Sequence, residues 1–272
     1  MKMKKLLLIA LAAMATVACS KDEGSVGLID SPEGTGIINF DVNPTIVVDG
    51  TRAQQQIPDG VTIPTAEELK LSIVTVDENV DYDGGEWESV ASFNKTYKKT
   101  YFKEGQYEAT VAYGDPTQEG ENCPYFVDVK DFAVIARSKV DVALAPKLAN
   151  SIVKIEFTDK FKGYFENGAA ITITSGNGNE WIMDYDTTPY IFVESGKELT
   201  ISGYAIKQKP SATIEAPKVS FDDVKKTMVA CTIYTYTYDV SSAGSVTVTV
   251  EITNEPIEEV VVGDAELNDD AI

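Results

Sequence analysis

The sequence predicts an all-β fold, arranged as two tandem antiparallel β-sandwich domains with few short helices. Three observations predict it. Apolar and polar residues alternate strictly in several separate stretches, turn residues punctuate those stretches at short intervals, and only two segments carry helix-start signals. A period of two puts one face of a strand on a core and the other toward water. Closely spaced strands joined by short loops are the signature of antiparallel sandwiches.

Along the chain, Ile37-Ile38-Asn39-Phe40-Asp41-Val42 reads as a first strand. Thr65 with Glu68 three residues on forms a capping-box pattern and predicts a short helix over Thr65–Leu69. Val140, Val142 and Leu144 alternate with Lys139, Asp141 and Ala143, and Val153, Ile155 and Phe157 face away from Lys154 and Glu156. Thr158 is placed to cap a second short helix over Asp159–Glu166. Ile171-Thr172-Ile173-Thr174 returns to alternation. In Cys231–Tyr238 threonines alternate with Tyr234, Tyr236 and Tyr238, and Val246, Val248, Val250 and Ile252 alternate with Thr247, Thr249, Glu251 and Thr253. Turn signals separate these runs at Asp83-Gly84-Gly85, Lys103-Glu104-Gly105, Gly114-Asp115-Pro116, 175–179, Ser195-Gly196-Lys197 and Ala243-Gly244. A strand end at Leu144, then Pro146, then a strand start at Ile152 put a boundary near Pro146–Asn150. The expected domains are therefore 36–146 and 147–263, followed by an acidic tail, 264–272. No short repeat is present, which argues against a solenoid or propeller.

The first residues set the expected compartment. Lys2, Lys4 and Lys5 precede an uncharged run, Leu6–Val17, of secretory length and too short for the ~20 residues that span a bilayer. Val17-Ala18-Cys19 follows, small residues before a cysteine as a lipoprotein signal peptidase requires. Residues 1–18 are expected to be a cleaved leader, Cys19 to carry the lipid and 19–35 to be a linker. Diacylation would hold the chain to a leaflet at ~0.8 kcal/mol per buried methylene. Ser20-Lys21-Asp22-Glu23 resembles the acidic surface-export signal of Bacteroidetes lipoproteins, which implies an outer-membrane protein facing the exterior.

Composition excludes several functions. The net charge of −20 becomes −23 once the three leader lysines are gone, a field that repels nucleic acid and leaves the acyl group as the membrane contact. There is no histidine, hence no imidazole base or zinc ligand. No nucleophile elbow, phosphate loop or zinc spacing occurs, and no catalytic residue, metal or cofactor is expected. Cys123 and Cys231, far apart in sequence, are expected in different domains and unpaired, as small hydrophobes.

Gly105-Gln106-Tyr107-Glu108-Ala109-Thr110-Val111-Ala112-Tyr113-Gly114 resembles a strand pattern of a Bacteroidetes surface lipoprotein family built on a domain of unknown function. Pro124-Tyr125-Phe126, Ala149–Ile155, Phe161 with Tyr164-Phe165, and the run from Glu258-Glu259 to Asp270 extend the resemblance over most of the chain. More distantly it is similar to the fimbrillins. That likeness implies two stacked transthyretin-like (or Ig-like) sandwiches, with other fimbrial subunits as partners. It also implies maturation by a trypsin-like cut after an arginine, which frees the first strand and opens a groove for a neighbour's strand. Arg52-Ala53 is the matching candidate here, with Ile38, Phe40 and Val42 as the plug. An ordinary loop arginine remains the plainer reading of Arg52.

Other candidates weigh less. Asp77, Asn79, Asp81, Asp83 and Glu88 have calcium-loop spacing, but Tyr82 stands where the turn glycine belongs, so a hairpin tip is the better reading. Trp87 and Trp181 could stack on sugar rings. So could Tyr234, Tyr236 and Tyr238, although cross-strand packing explains that ladder more simply. Asn94-Lys95-Thr96 matches a glycosylation acceptor of no relevance to a bacterial lipoprotein. The leading functional reading is a non-catalytic, lipid-anchored surface protein for adhesion or fimbria-like assembly. The alternative is a glycan-binding surface lipoprotein of a nutrient-uptake system; a secreted hydrolase is weaker still.

Overall fold

In a computed structural model, residues 30–45, 61–76, 80, 84–166, 168–207, 218–241, 245–252 and 258–264 are described. The N-terminal half contains β1 (Thr35–Val42), β2 (Lys70–Thr75), β3 (Gly85–Trp87), α1 (Val90–Thr96), β4 (Phe102–Lys103), β5 (Gly105–Tyr113), β6 (Phe126–Val134), β7 (Lys139–Leu144) and β8 (Lys147–Leu148). The C-terminal half contains β9 (Ser151–Phe157), α2 (Asp159–Tyr164), β10 (Ala169–Thr174), β11 (Glu180–Met183), β12 (Ile191–Val193), β13 (Glu198–Ile206), β14 (Lys218–Thr227), β15 (Ile233–Val240), β16 (Ser245–Ile252) and β17 (Glu258–Asp264). The fold is all-β, as the alternation predicts.

Each half packs two sheets. The first sets β4-β1-β7 against β3-β2-β5-β6-β8, and the second sets β11-β10-β13-β14 against β12-β9-β15-β16-β17. Inward residues of both layers meet in one cluster per half. The first joins Ile38, Phe40, Val142 and Leu144 to Leu71, Ile73, Tyr107 and Val111. The second joins Ile171, Ile173, Leu199 and Ile201 to Val153, Ile155, Tyr234, Tyr236 and Tyr238.

The expectation of purely antiparallel sheets needs one correction. β1 runs parallel to β7 and β9 runs parallel to β15. Period-two alternation is the same in both ladder types, so it fixes faces but not direction. The tyrosine ladder is also settled: Tyr234, Tyr236 and Tyr238 are each 1% exposed, so they pack the core and offer nothing to a sugar. Their phase turns the threonines of β15 outward instead.

Of the two predicted helices one forms. Thr158 Oγ1 accepts from the Phe161 amide at 3.1 Å and starts α2, whose Phe161 is fully buried among Phe157, Phe165, Phe221 and Tyr238. Thr65–Leu69 is a single turn. Its capping bonds exist, with the Thr65 amide and hydroxyl both donating to Glu68 Oε2 at 2.9 Å, but Leu69 is buried and β2 begins at the next residue. The turn instead offers the Leu69 and Ala66 carbonyls to the Val90 and Ala91 amides, the orphan donors at the start of α1. α1 is not among the helices expected from the sequence. Its signal is a capping box between Ser89 and Ser92 ahead of Val90 and Phe93, too short to show a helical period.

Phe161 anchors the aromatic centre of the C-terminal half, so Phe161→Ala is expected to cost about 3–5 kcal/mol. Urea denaturation followed by tyrosine and tryptophan fluorescence would measure it.

Candidate functional site

The candidate site is the seat of β1. This strand joins the first sandwich from outside the contiguous run β2–β8, and its partner β7 lies about 100 residues on: Asn39 Nδ2 donates to Asp141 Oδ1 at 2.9 Å across 102 residues. The parallel ladder runs from Ile37 opposite Lys139 to Val42 opposite Leu144. On the other edge β4 pairs only with Thr35 and Gly36. Gly36 is required there because a Cβ would lie 2.5 Å from the Ile135 carbonyl oxygen.

Beyond Gly36 no strand lies on that edge among the described residues, and a side chain takes its place. Asn94 on α1 donates through Nδ2 to the Phe40 carbonyl at 2.7 Å and accepts through Oδ1 from the Phe40 amide at 3.2 Å. The primary amide thus satisfies both backbone groups as a neighbouring residue in a ladder would. Below it, Ile38 and Phe40 are buried, Val42 packs at the margin, and the Phe40 ring meets Phe93 edge-on at 5.2 Å and Phe132 at 6.0 Å. Full burial of each large side chain is worth ~1.5–3 kcal/mol. The seat is therefore an apolar socket with strand-pairing groups on both rims.

A second polar assembly couples the halves. Phe126 and Leu148 of the first meet Ile152, Phe192 and Ile233 of the second in an apolar cluster. Around it, Asn150 accepts from the Tyr125 amide at 3.2 Å, donates to the Cys123 carbonyl at 2.8 Å and accepts the Cys231 amide on its own carbonyl at 3.1 Å. Cys123 and Cys231 are not joined in a disulfide and lie part-buried against this cluster on either side of Asn150. The loop after β5 crosses to the second half. Gly120, at φ +127°, exchanges two backbone hydrogen bonds of 2.9 Å with Phe192 of β12. Beside it, Glu119 accepts from Ser175 Oγ at 2.6 Å, Asn179 Nδ2 at 2.7 Å and the Glu194 amide at 2.8 Å. Burial pushes the Glu119 carboxyl up, but the hydrogen bonds from Ser175, the Glu194 amide, Asn179 and Asn177 outweigh it and hold the group below the usual carboxylate range.

The remaining sequence candidates are scattered. Cys19, Ser20, Lys21, Asp22, Glu23, Arg52 and Ala53 lie outside the described residues, as do Asp77, Asn79, Asp81 and Asp83. Glu88 is exposed. Among the described residues no group of three or more His, Cys, Asp or Glu side chains could hold a metal ion. Trp87 is part-buried, with its ring edge-on to Phe93 at 4.9 Å and its six-membered ring against Gly85. Trp181, also part-buried, packs on the C-terminal core with its indole nitrogen toward Gly120. Asn94, Glu119 and Asn150 were missed as working residues. Asn94 was visible only as a glycosylation pattern, Asn150 only as part of the domain boundary and of the Ala149–Ile155 run, and Glu119 as a single polar residue among many.

The family described as Domain of unknown function (DUF4493) matches residues 34–263, from the residue before β1 to the penultimate residue of β17. The chain belongs to that family. No curated protein matches this DUF4493 chain. Among solved structures it is similar to a candidate cell adhesion protein from Bacteroides ovatus, with 13% identity, a TM-score of 0.41, and coverage of 85% of this chain and 100% of that one. It is also similar to the fimbrial anchor protein Mfa2 from Porphyromonas gingivalis, with 12% identity, a TM-score of 0.36, and coverage of 84% and 100%. A third is a candidate polysaccharide-binding protein from Bacteroides thetaiotaomicron, with 10% identity, a TM-score of 0.36, and coverage of 70% and 91%.

Two outcomes follow from the DUF4493 geometry. Asn94→Ala leaves the Phe40 amide and carbonyl unpaired and is expected to lower stability by about 1–3 kcal/mol, read by thermal unfolding, with Asn94→Gln no better because its longer arm misplaces the amide. For Glu119, a depressed folded pKa means stability that is present above the unfolded value, ~4.3, and lost as pH falls through the folded value. The stability gap between the wild type and Glu119→Gln is therefore expected to narrow from about pH 5 downward, measured by urea unfolding at stepped pH.

Proposed function

We propose that this DUF4493 chain is a non-catalytic, lipid-anchored protein of the outer-membrane surface that serves adhesion or fimbria-like assembly. The observation that carries the reading is the position of β1. A strand at the N-terminal end of the sandwich sits centrally in its sheet, with Ile38 and Phe40 in a socket and its edge held by Asn94. A socket of this form accepts an extended segment through main-chain pairing and alternate side chains, the chemistry of strand addition.

The N-terminal sequence supports the rest. Lipid on Cys19 would tether the chain just ahead of β1, and the 16 peptide units from Cys19 to Thr35 reach at most roughly 50–60 Å when fully extended. Load on the anchor would then pass directly into β1. Ser20–Glu23 supports export to the exterior face. A cut at Arg52 would not by itself empty the socket, because the ladder to β7 and the Phe40 contacts would still hold β1. Release would require a competing strand. We further read 36–146 and 147–263 as two sandwich domains coupled through Asn150 and Glu119.

Mass spectrometry of the mature N-terminus, on protein stripped from intact cells, tests this reading. A diacylated peptide beginning at Cys19 is the expected result. A free, unacylated N-terminus anywhere ahead of β1 would overturn the anchor, and a peptide beginning at Ala53 would replace it with a strand-exchanging subunit.

A further inference from the structure

β9 is flanked by strands on both sides for only part of its length. β12 pairs with Ser151–Val153, whereas β15 runs beside Ile152–Phe157. The parallel ladder fixes where each peptide group points. The Ile152 amide donates to the Thr232 carbonyl at 2.9 Å and the Thr158 amide donates to the Tyr238 carbonyl at 3.1 Å. Residues 152, 154, 156 and 158 therefore turn their N–H and C=O toward β15, and 153, 155 and 157 turn theirs away. Val153 meets Ile191 of β12. The next residue in that ladder, opposite Ile155, would be Pro189, which has no N–H to give. The chain there leaves the sheet through a turn in which Asp184 Oδ1 accepts from the Asp186 and Thr187 amides at 2.9 and 2.7 Å. Among the described residues the Ile155 and Phe157 amides have no backbone acceptor.

A cavity of about 250 Å³ lies at that place, lined by Lys154, Ile155, Glu156, Phe157, Lys162, Tyr185 and Thr188. Backbone groups facing such an open space pair with water unless a neighbouring strand takes its place. The volume is below the ~300–1,000 Å³ of most small-molecule pockets; it is a slot beside a strand edge. Its lining carries two lysines against one glutamate, with Asp184 and Asp186 on either side of Tyr185 in the turn beyond. Lys154 is paired with Glu156. Lys162, exposed on α2, forms no ion pair among the described residues and lies 5.9 Å above the Tyr185 ring. One cation is thus left over at the slot in a protein of net charge −20.

We propose that this slot docks a short, extended, acidic peptide of a partner protein, added to the β9 edge where β12 stops. Ile155 and Phe157 offer N–H and C=O to its main chain, about three residues long at the ~3.3 Å rise of a strand. Lys162 receives its carboxylate, and Tyr185 and Thr188 wall the far side. An acidic saccharide could also meet Lys162, but it would have no use for a strand edge. The inference is independent of lipid anchoring and of the fate of β1.

The test uses the whole secreted chain and ¹⁵N NMR. The probes are a blocked hexapeptide alternating glutamate and valine, its lysine-for-glutamate counterpart, a version N-methylated at alternate residues, and a trisaccharide of galacturonic acid. The glutamate peptide is expected to shift the Ile155 and Phe157 amides and to slow their hydrogen exchange. The lysine and N-methylated peptides should do neither, and Lys162→Met, which keeps its stem over Tyr185, should weaken binding about fivefold. Unchanged Ile155 and Phe157 signals, equal binding of the N-methylated peptide, or shifts produced by the trisaccharide alone would each overturn the proposal.

Discussion

The N-terminal half depends on one long-range pairing, the parallel ladder between β1 and β7. Its two strands are separated by nearly the whole of that half, so the ladder can close only after the intervening strands and α1 are in place, or must close them as it forms. The pairing satisfies one edge of β1 and delivers Ile38 and Phe40 to the core. The other edge would be left with unpaired backbone groups beside an apolar cluster, a costly arrangement. Asn94 removes that cost by acting as a one-residue strand. This explains why a seven-residue helix with no long hydrophobic period exists at all. It is braced by the Thr65 turn beneath it and by the β1 backbone it serves.

The junction between the halves obeys the same rule. An apolar cluster of five buried residues is too small to hold two sandwiches in one arrangement by burial alone, and hydrophobic contact has no direction. Direction comes from Asn150, Glu119 and the Gly120–Phe192 bridge, whose hydrogen bonds are met on both sides of the junction. β8 belongs to this arrangement: Lys147–Leu148 pairs with β6 of the first sandwich, and the chain enters β9 of the second only three residues later.

Strand edges are where sandwiches are open to other chains. Here the seat of β1 and the stretch of β9 that lacks a second neighbour among the described residues are edges of different kinds. The first is filled by the chain's own N-terminal strand and lined with apolar residues; the second is short, flanked by lysines and ended by a proline. Both depend on local chemistry at the point where a ladder stops.

The alternation of β1, β7, β9, β10, β15 and β16 and the cap at Thr158 were legible in the sequence because face and cap are local properties, set by the phase of neighbouring residues. The absence of histidine and the strong negative charge are likewise properties of composition alone. Direction of pairing was not legible, since parallel and antiparallel ladders show the same period, and neither was the inward phase of Tyr234, Tyr236 and Tyr238, since threonine and tyrosine are both at home on either face. The roles of Asn94, Glu119 and Asn150 could come only from the tertiary structure. Each is a lone polar residue whose partners lie between about 25 and 80 residues away, a distance no local pattern encodes.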